Sequence, residues 1–144
     1  RQELDPLDKE IIKLINAHPG IRWIDFQKDV RPFLAISDVF VFPSYREGFP
    51  NVVMQAGAMN LPCIVSDING CNEIIEENIN GVIIPIKNVQ ALQQAMNSLF
   101  VDHKTCKAMA SVSRQLIVRR FESNALIEEI LKEYHLQIAK QTMV

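Results

Sequence analysis

No run of apolar residues approaches the roughly 18–20 that a membrane-spanning helix needs, and no basic-then-apolar leader stands at Arg1. The chain therefore reads as a soluble protein of the cytoplasm, any contact with the inner face of a membrane being left to a partner domain. Positive charge is not in excess either: 15 Lys and Arg stand against 17 Asp and Glu, a formal net charge of -2. This excludes a global field that would collect nucleic acid, so any anion has to be bound locally. Cys63, Cys71 and Cys106 are odd in number and form no C-x-x-C pair, which argues against a disulfide frame and for reduced thiols. His18, His103 and His135 lie far apart, without metal-ligand spacing to one another or to a Cys, so no metal site is expected. Repeats, low-complexity tracts and flexible linkers are absent as well.

What is present suits a single domain over residues 1–144, because 48% apolar composition at this length can bury one continuous core. Asp5 and Pro6 suit a helix start, followed by Leu7, Ile11, Leu14 and Ile15 on one face until His18, Pro19 and Gly20 stop it. A short strand is expected over residues 21–24 and a short helix, capped by Asp29, over Val30, Phe33 and Leu34. Residues 39–42 are apolar on both faces, as in a central parallel strand. The alternation continues with a helix from Asn51 to Met59, a strand over 63–66, a short helix from Glu73 to Glu77 and a strand over 82–84. Three amphipathic helices close the chain, marked by Val89, Leu92, Met96 and Leu99, then by Met109, Val112 and Leu116, then by Leu126, Ile130, Tyr134 and Ile138 with Ser123 as cap. Strands alternating with helices at short spacing predict an α/β fold, a Rossmann-like doubly wound parallel sheet with helices on both faces.

Ligands of such sheets bind beyond the carboxyl ends of the strands, which nominates residues 25–28, 44–50, 67–71 and the segment after Pro85. Residues 44–50 are the most informative. Glu47 precedes Gly48, where backbone can approach a ligand closely, and the next helix offers free N–H groups at Asn51, Val52 and Val53, a seat for phosphate. Gln55 lies one turn further on the face of Asn51. Carboxylate, anion seat and amide together suit a ligand bearing phosphate and sugar hydroxyls. Spacing alone fits better a Glu47 that caps the helix and a Gln55 that is merely solvated.

The residues themselves decide between these. Residues 37–53, SDVFVFPSYREGFPNVV, resemble the donor-site signature of the retaining glycosyltransferases of family four, which have the two-Rossmann-domain GT-B architecture. The likeness continues through LPCIVSD at 61–67, NEII at 72–75, NGVIIP at 80–85 and the Phe121, Glu122 pair, in the family's order. The resemblance implies the carboxyl-terminal, donor-binding half of a retaining hexosyltransferase, expected to lack its first strand and the acceptor-side domain and to be inactive alone. It implies a nucleotide-diphosphate sugar as donor, a UDP-sugar first, with no cofactor or metal, and a glycan or lipid-linked acceptor in cell-surface polysaccharide synthesis. The family motif is a glutamate, seven residues and a second glutamate. The first, which reaches the donor sugar, maps onto Glu47 as the catalytic residue; the second, on the ribose, maps onto Gln55, a departure that loses a charge-assisted hydrogen bond. Gly48, Phe49, Asn51, Val52 and Val53 carry the amides that the resemblance assigns to the diphosphate. Asp25, with Phe26 beside it, falls where the family has glycine next to the nucleobase, a second departure, and is expected to read a base N–H.

Two other readings share this architecture. One is a non-catalytic nucleotide-sugar-binding module, in which Gln55 and Asp25 mark lost activity; the other is a nucleotide-sugar epimerase, which would need no acceptor. Of the remaining residues, Arg46 and Lys28 are read either as substitute cations or as surface side chains, Trp23 as core, Glu76 and Glu77 as a solvated helix end, and Cys71 as no nucleophile for want of a nearby histidine. The last helix's apolar stripe, which in GT-B proteins often crosses to the other domain, is expected to be partly exposed.

Overall fold

In the computed structural model, residues 7–142 are described. In chain order the elements are α1 (Lys9–Ala17), α2 (Arg31–Ala35), β1 (Phe40–Phe42), α3 (Asn51–Ala58), β2 (Cys63–Ser66), α4 (Cys71–Ile74), β3 (Gly81–Ile84), α5 (Val89–Val101), α6 (His103–Phe121) and α7 (Ser123–Thr142). The described residues up to Val30 form one compact unit and those from Arg31 onward a second.

The second unit is built on a parallel sheet of order β1-β2-β3, with Val41 opposite Ile64 and Ile64 opposite Val82. Side chains alternate across each strand, so one sequence feeds two cores. Cys63 and Val65, with Phe40, Phe42 and Ile83, face Val53 and Ala56 of α3, Ile74 of α4 and Ile117 of α6. Ile64 and Ile84, with Val41 and Val82, face Ala95 and Leu99 of α5 and Cys106 and Met109 of α6. Long α6 thus serves both cores, its first half on one and its second half on the other. The sheet carries helices on both faces, as the alternation of elements predicted. Ile64 and Val65 are fully buried, each contributing about 1.5–3 kcal/mol through apolar area removed from water.

Residues 39–42 were expected to form a central strand, but the centre is β2. All four of its residues are buried, whereas β1 lies at the edge of the described sheet and is only half-buried.

Arginines of α6 secure the helices on the first face. Arg114 Nη1 donates to the Ala58 carbonyl at 2.6 Å, and Arg120 donates to the Glu73 carbonyl, so guanidinium groups occupy orphan acceptors at the ends of α3 and α4. Gly57 permits the close approach of α3 to α6, since a Cβ there would lie 2.7 Å from Ile117 Cγ1. The short helix expected from Glu73 to Glu77 instead ends at Ile74. Asn80 causes this: buried, it accepts from the Glu76 N–H at 2.7 Å and turns the chain into β3. Glu76 and Glu77 are therefore not a solvated helix end. Glu76 pairs with Arg120 at 3.1 Å, and the Glu77 carboxylate accepts from the Ile83 N–H in β3.

In the first unit α1 starts at Asp8, whose carboxylate accepts from the Glu10 N–H at 2.7 Å; Asp5 and Pro6, the expected start, lie outside the described residues. No residue of α1 is buried. The strand expected over residues 21–24 does not form, and residues 21–27 have no regular structure. An alternating segment becomes a strand only when a neighbour accepts its hydrogen bonds. In α7, Ser123 is the first helical residue, and Ile130, Tyr134 and Ile138 are exposed, as expected of that stripe.

Candidate active site

Pro43 has no N–H to extend the strand, and β1 ends before it. In the loop that follows, Ser44 Oγ donates to Glu47 Oε1 at 2.9 Å and holds the half-buried carboxylate in place. Beside it Gly48 is open: a Cβ at that position would meet nothing within 4 Å. The Phe49 ring turns away to pack edge-on against Phe121, centroids 5.4 Å apart, so what Phe49 can offer a ligand is its backbone. Pro50 is buried and leads directly into α3.

Pro50 brings no side-chain acceptor to the start of α3. The Val53 N–H donates to the Pro50 carbonyl at 3.1 Å and Val53 is fully buried, which corrects the expectation that its amide is free. Asn51 and Val52 remain as the exposed first-turn residues at the positive end of the helix. Gln55 is exposed one turn further. Its side chain neither caps the helix nor engages a described residue.

Residues 67–71 are nominated by the sequence as a ligand loop without an individual role for Gly70, yet the 47–50 loop rests on it. Gly70 has φ +77°, and a Cβ there would lie 2.3 Å from the Gly48 carbonyl oxygen and 2.9 Å from Phe49 Cα. Only glycine combines that conformation with so close an approach. Glu73 fixes it further, its Oε1 accepting from the Gly70 N–H at 3.1 Å. The Asn69–Gly70 pair, a turn signal between strand and helix, was the available clue.

Cys71 follows, fully buried. Burial first, and the nearby Glu47 charge second, push its thiol up to about 11; burial and then Cys71 push Cys63 up to about 12. Both stay protonated at neutral pH and are poor nucleophiles. Tyr45, Arg46, Glu47, Ile68 and Asn69 line a cavity of about 250 Å³. Arg46 borders it without an ion pair to any described residue.

Asp25 and Phe26 belong to the other compact unit. Asp25 Oδ1 accepts from the Trp23 indole N–H at 3.1 Å, Phe26 is 89% exposed and Trp23 62% exposed. Trp23 was expected in a core; without a strand over residues 21–24 there is no face to bury it. Lys28 is exposed too.

Comparison with known proteins gives this geometry a context. Residues 3–102 match the sequence model of a family described as glycosyl transferases group 1. The chain belongs to that family of glycosyltransferases. Among curated relatives of this glycosyltransferase chain, an Escherichia coli protein named UDP-Gal:alpha-D-GlcNAc-diphosphoundecaprenol alpha-1,3-galactosyltransferase is 32% identical over 120 residues, covering 83% of this chain and 31% of the relative. A Campylobacter jejuni N,N'-diacetylbacillosaminyl-diphospho-undecaprenol alpha-1,3-N-acetylgalactosaminyltransferase is 31% identical, covering 80% and 30%. The chain thus spans about a third of the length of the curated relatives it matches. Among solved structures, HepE of Anabaena in complex with UDP superposes with a TM-score of 0.83 at 21% identity, over 88% of this chain and 36% of that one. That likeness supports the fold alone.

Proposed function

We propose that this chain is the donor-binding part of a retaining glycosyltransferase that takes a hexose-type sugar from a UDP-sugar and passes it to a lipid-linked or glycan acceptor in surface polysaccharide synthesis. One observation carries the reading. A carboxylate fixed by Ser44 stands beside an open glycine and an uncapped helix start, all on the loop leaving the carboxyl end of β1. Glu47 orients the donor hexose through its hydroxyls. As the bond between the anomeric carbon and the phosphate oxygen breaks, charge builds on the leaving diphosphate. The Gly48, Asn51 and Val52 N–H groups and the positive end of α3 stabilise that charge. The acceptor oxygen bonds to the same carbon and its proton passes to the departing phosphate oxygen, so the protein supplies position and electrostatics. Gln55, one turn along, holds the ribose as a neutral partner. Support for the donor and acceptor classes comes from the E. coli relative, named for UDP-Gal and a diphosphoundecaprenol-linked sugar, and from the UDP complex of the Anabaena neighbour.

The test is a titration of UDP, with GDP as control, into the chain, followed by backbone amide shifts. Selective UDP shifts at Gly48, Asn51 and Val52 are expected, with Val53 moving least because its N–H is engaged. Equal response to both nucleotides, or shifts that avoid this loop, would overturn the assignment. In the whole enzyme Glu47→Gln is expected to lower kcat by about 100-fold or more, as for loss of a preorganised polar group.

A further inference from the structure

The Phe121, Glu122 pair closes the stretch of likeness to the family, yet Phe121 does not line the Glu47 cavity. It is the last residue of α6, and together with Arg120 it reaches the donor loop from two directions. At the flank, its ring packs edge-on against Phe49, between Gly48 and Pro50 in the loop. Phe49 is 42% exposed, so the ring contact restrains a side chain that water alone would leave free to change rotamer. From beneath, Gly70 meets the Gly48 carbonyl and Phe49 Cα, and Glu73 holds the Gly70 N–H. The place of Glu73 is set in turn by Arg120, which donates to the Glu73 carbonyl.

Arg120 is itself held by more than that one bond. Its Nη1 pairs with Glu76 Oε1 at 3.1 Å, its Nη2 takes the Glu73 carbonyl, and its Cζ lies 5.0 Å from the centre of the Phe121 ring. Glu76 is a fixed partner, because its own N–H donates at 2.7 Å to the side chain of buried Asn80. A planar fork that spans two acceptors while facing a ring is what arginine offers and lysine does not. Arg114, earlier on the same helix, makes a contact of the same kind, donating at 2.6 Å to the Ala58 carbonyl. Its acceptor, however, lies at the carboxyl end of α3, the end away from the loop.

We propose that Arg120 and Phe121 are positioning residues for the donor loop: the end of α6 clamps it through the Phe49 ring on one side and the Gly70 turn on the other. The clamp keeps Glu47 and the Gly48 and Asn51 N–H groups aimed at one place. Neither residue touches the ligand, and both act through the loop. What the loop binds rests on the donor reading above; what holds it does not. Amides stabilise a leaving diphosphate only when they already point at it, and a loop free to shift by about 1 Å forfeits on the order of 100-fold in rate.

The experiment compares Arg120→Gln, Phe121→Leu, Phe121→Tyr and Arg114→Gln in the chain by backbone nitrogen relaxation without ligand, then by titration with UDP. Arg120→Gln and Phe121→Leu are expected to lower the order parameters of Gly48, Phe49 and Asn51 from about 0.85 toward about 0.6, while Ile64 and Val65 of β2 stay rigid and show that the fold is intact. Both should weaken UDP binding at least about tenfold. Phe121→Tyr keeps the ring and is expected to retain both the order and the affinity. Arg114→Gln also removes an arginine from a helix-end carbonyl, so it reports what lost stability does by itself; its urea midpoint should fall about as far as that of Arg120→Gln with the loop still ordered. The proposal fails if Arg120→Gln and Phe121→Leu leave the loop as rigid as before, or if Arg114→Gln loosens it equally. An unaltered chain indifferent to UDP would overturn the donor reading, and the ligand-free order parameters would still decide the clamp.

Discussion

Two stretches were expected to share one ligand, and they are held in opposite ways. The 47–50 loop is over-determined: Ser44 fixes the carboxylate, Phe121 holds the Phe49 ring, and Gly70 meets the backbone from beneath. Residues 21–27 have no regular structure, and the contact between Trp23 and Asp25 is one of exposed side chains. The difference follows from where each finds its partners. The loop is flanked by β1 and α3 and buttressed by α4 and α6, all within one packed unit, whereas a segment of alternating residues has no stability until a neighbouring strand accepts its hydrogen bonds.

The most severe way to break this contrast is Gly70→Ala. The new Cβ meets the Gly48 carbonyl at 2.3 Å in a left-handed conformation, so both strain and overpacking apply. The expected cost is on the order of 3 kcal/mol, read as a lower urea midpoint. Unchanged stability would mean that the loop does not rest on Gly70.

Gly57→Ala comes next. Its Cβ would lie 2.7 Å from Cγ1 of the buried, β-branched Ile117, so the expected cost is about 2 kcal/mol. Ile117→Ala, which removes Cγ1, should make the added methyl cost less in the double variant than in the single one. A double variant whose loss equals the sum of the single losses would show that the two residues do not meet.

A third test uses pH. Cys63 and Cys71 ionise near 9 when unfolded but at about 12 and 11 in the fold, chiefly because burial disfavours the thiolate. Below pH 9 both states keep the protons and this contribution is constant. As pH rises from 9 toward 11 and 12 the unfolded chain ionises first, so stability should fall across that window. Cys71→Ala should show a shallower decline, and an identical one would place the thiol in water.

Much of this was legible because the signals are local. Residues 63–66 form β2 at the expected bounds, and α3 begins at Asn51, directly after Pro50. Asn88 caps α5 as its residue type suggests. What escaped the reading depends on tertiary partners. The Val53 N–H is engaged because Pro50 turns its carbonyl back into the helix, a matter of dihedral angle. Glu77 is structural because β3 presents the Ile83 N–H to it, and Gly70 matters because a loop 20 residues earlier lies on it. That β1 is an outer strand of the described sheet was not legible, because an apolar run does not report how many strands flank it.

The smallest expected effect sharpens the contrast most, because it concerns the loosely held stretch alone. Asp25→Asn keeps an acceptor oxygen for the Trp23 indole and alters an exposed site, so stability should change by less than about 0.5 kcal/mol. Trp23 is the sole tryptophan, so its fluorescence reports on this stretch without interference. At 62% exposure the indole already has a largely aqueous environment, and its emission should be red-shifted and readily quenched by iodide in the native chain. On adding urea it should change little through the cooperative loss of helix seen by circular dichroism. A large, simultaneous shift of the emission would mean that residues 21–27 are packed in solution. The expected strand would then be formed there, and the base-side roles assigned to Asp25 and Phe26 would gain the rigid support that the loop at Glu47 already has.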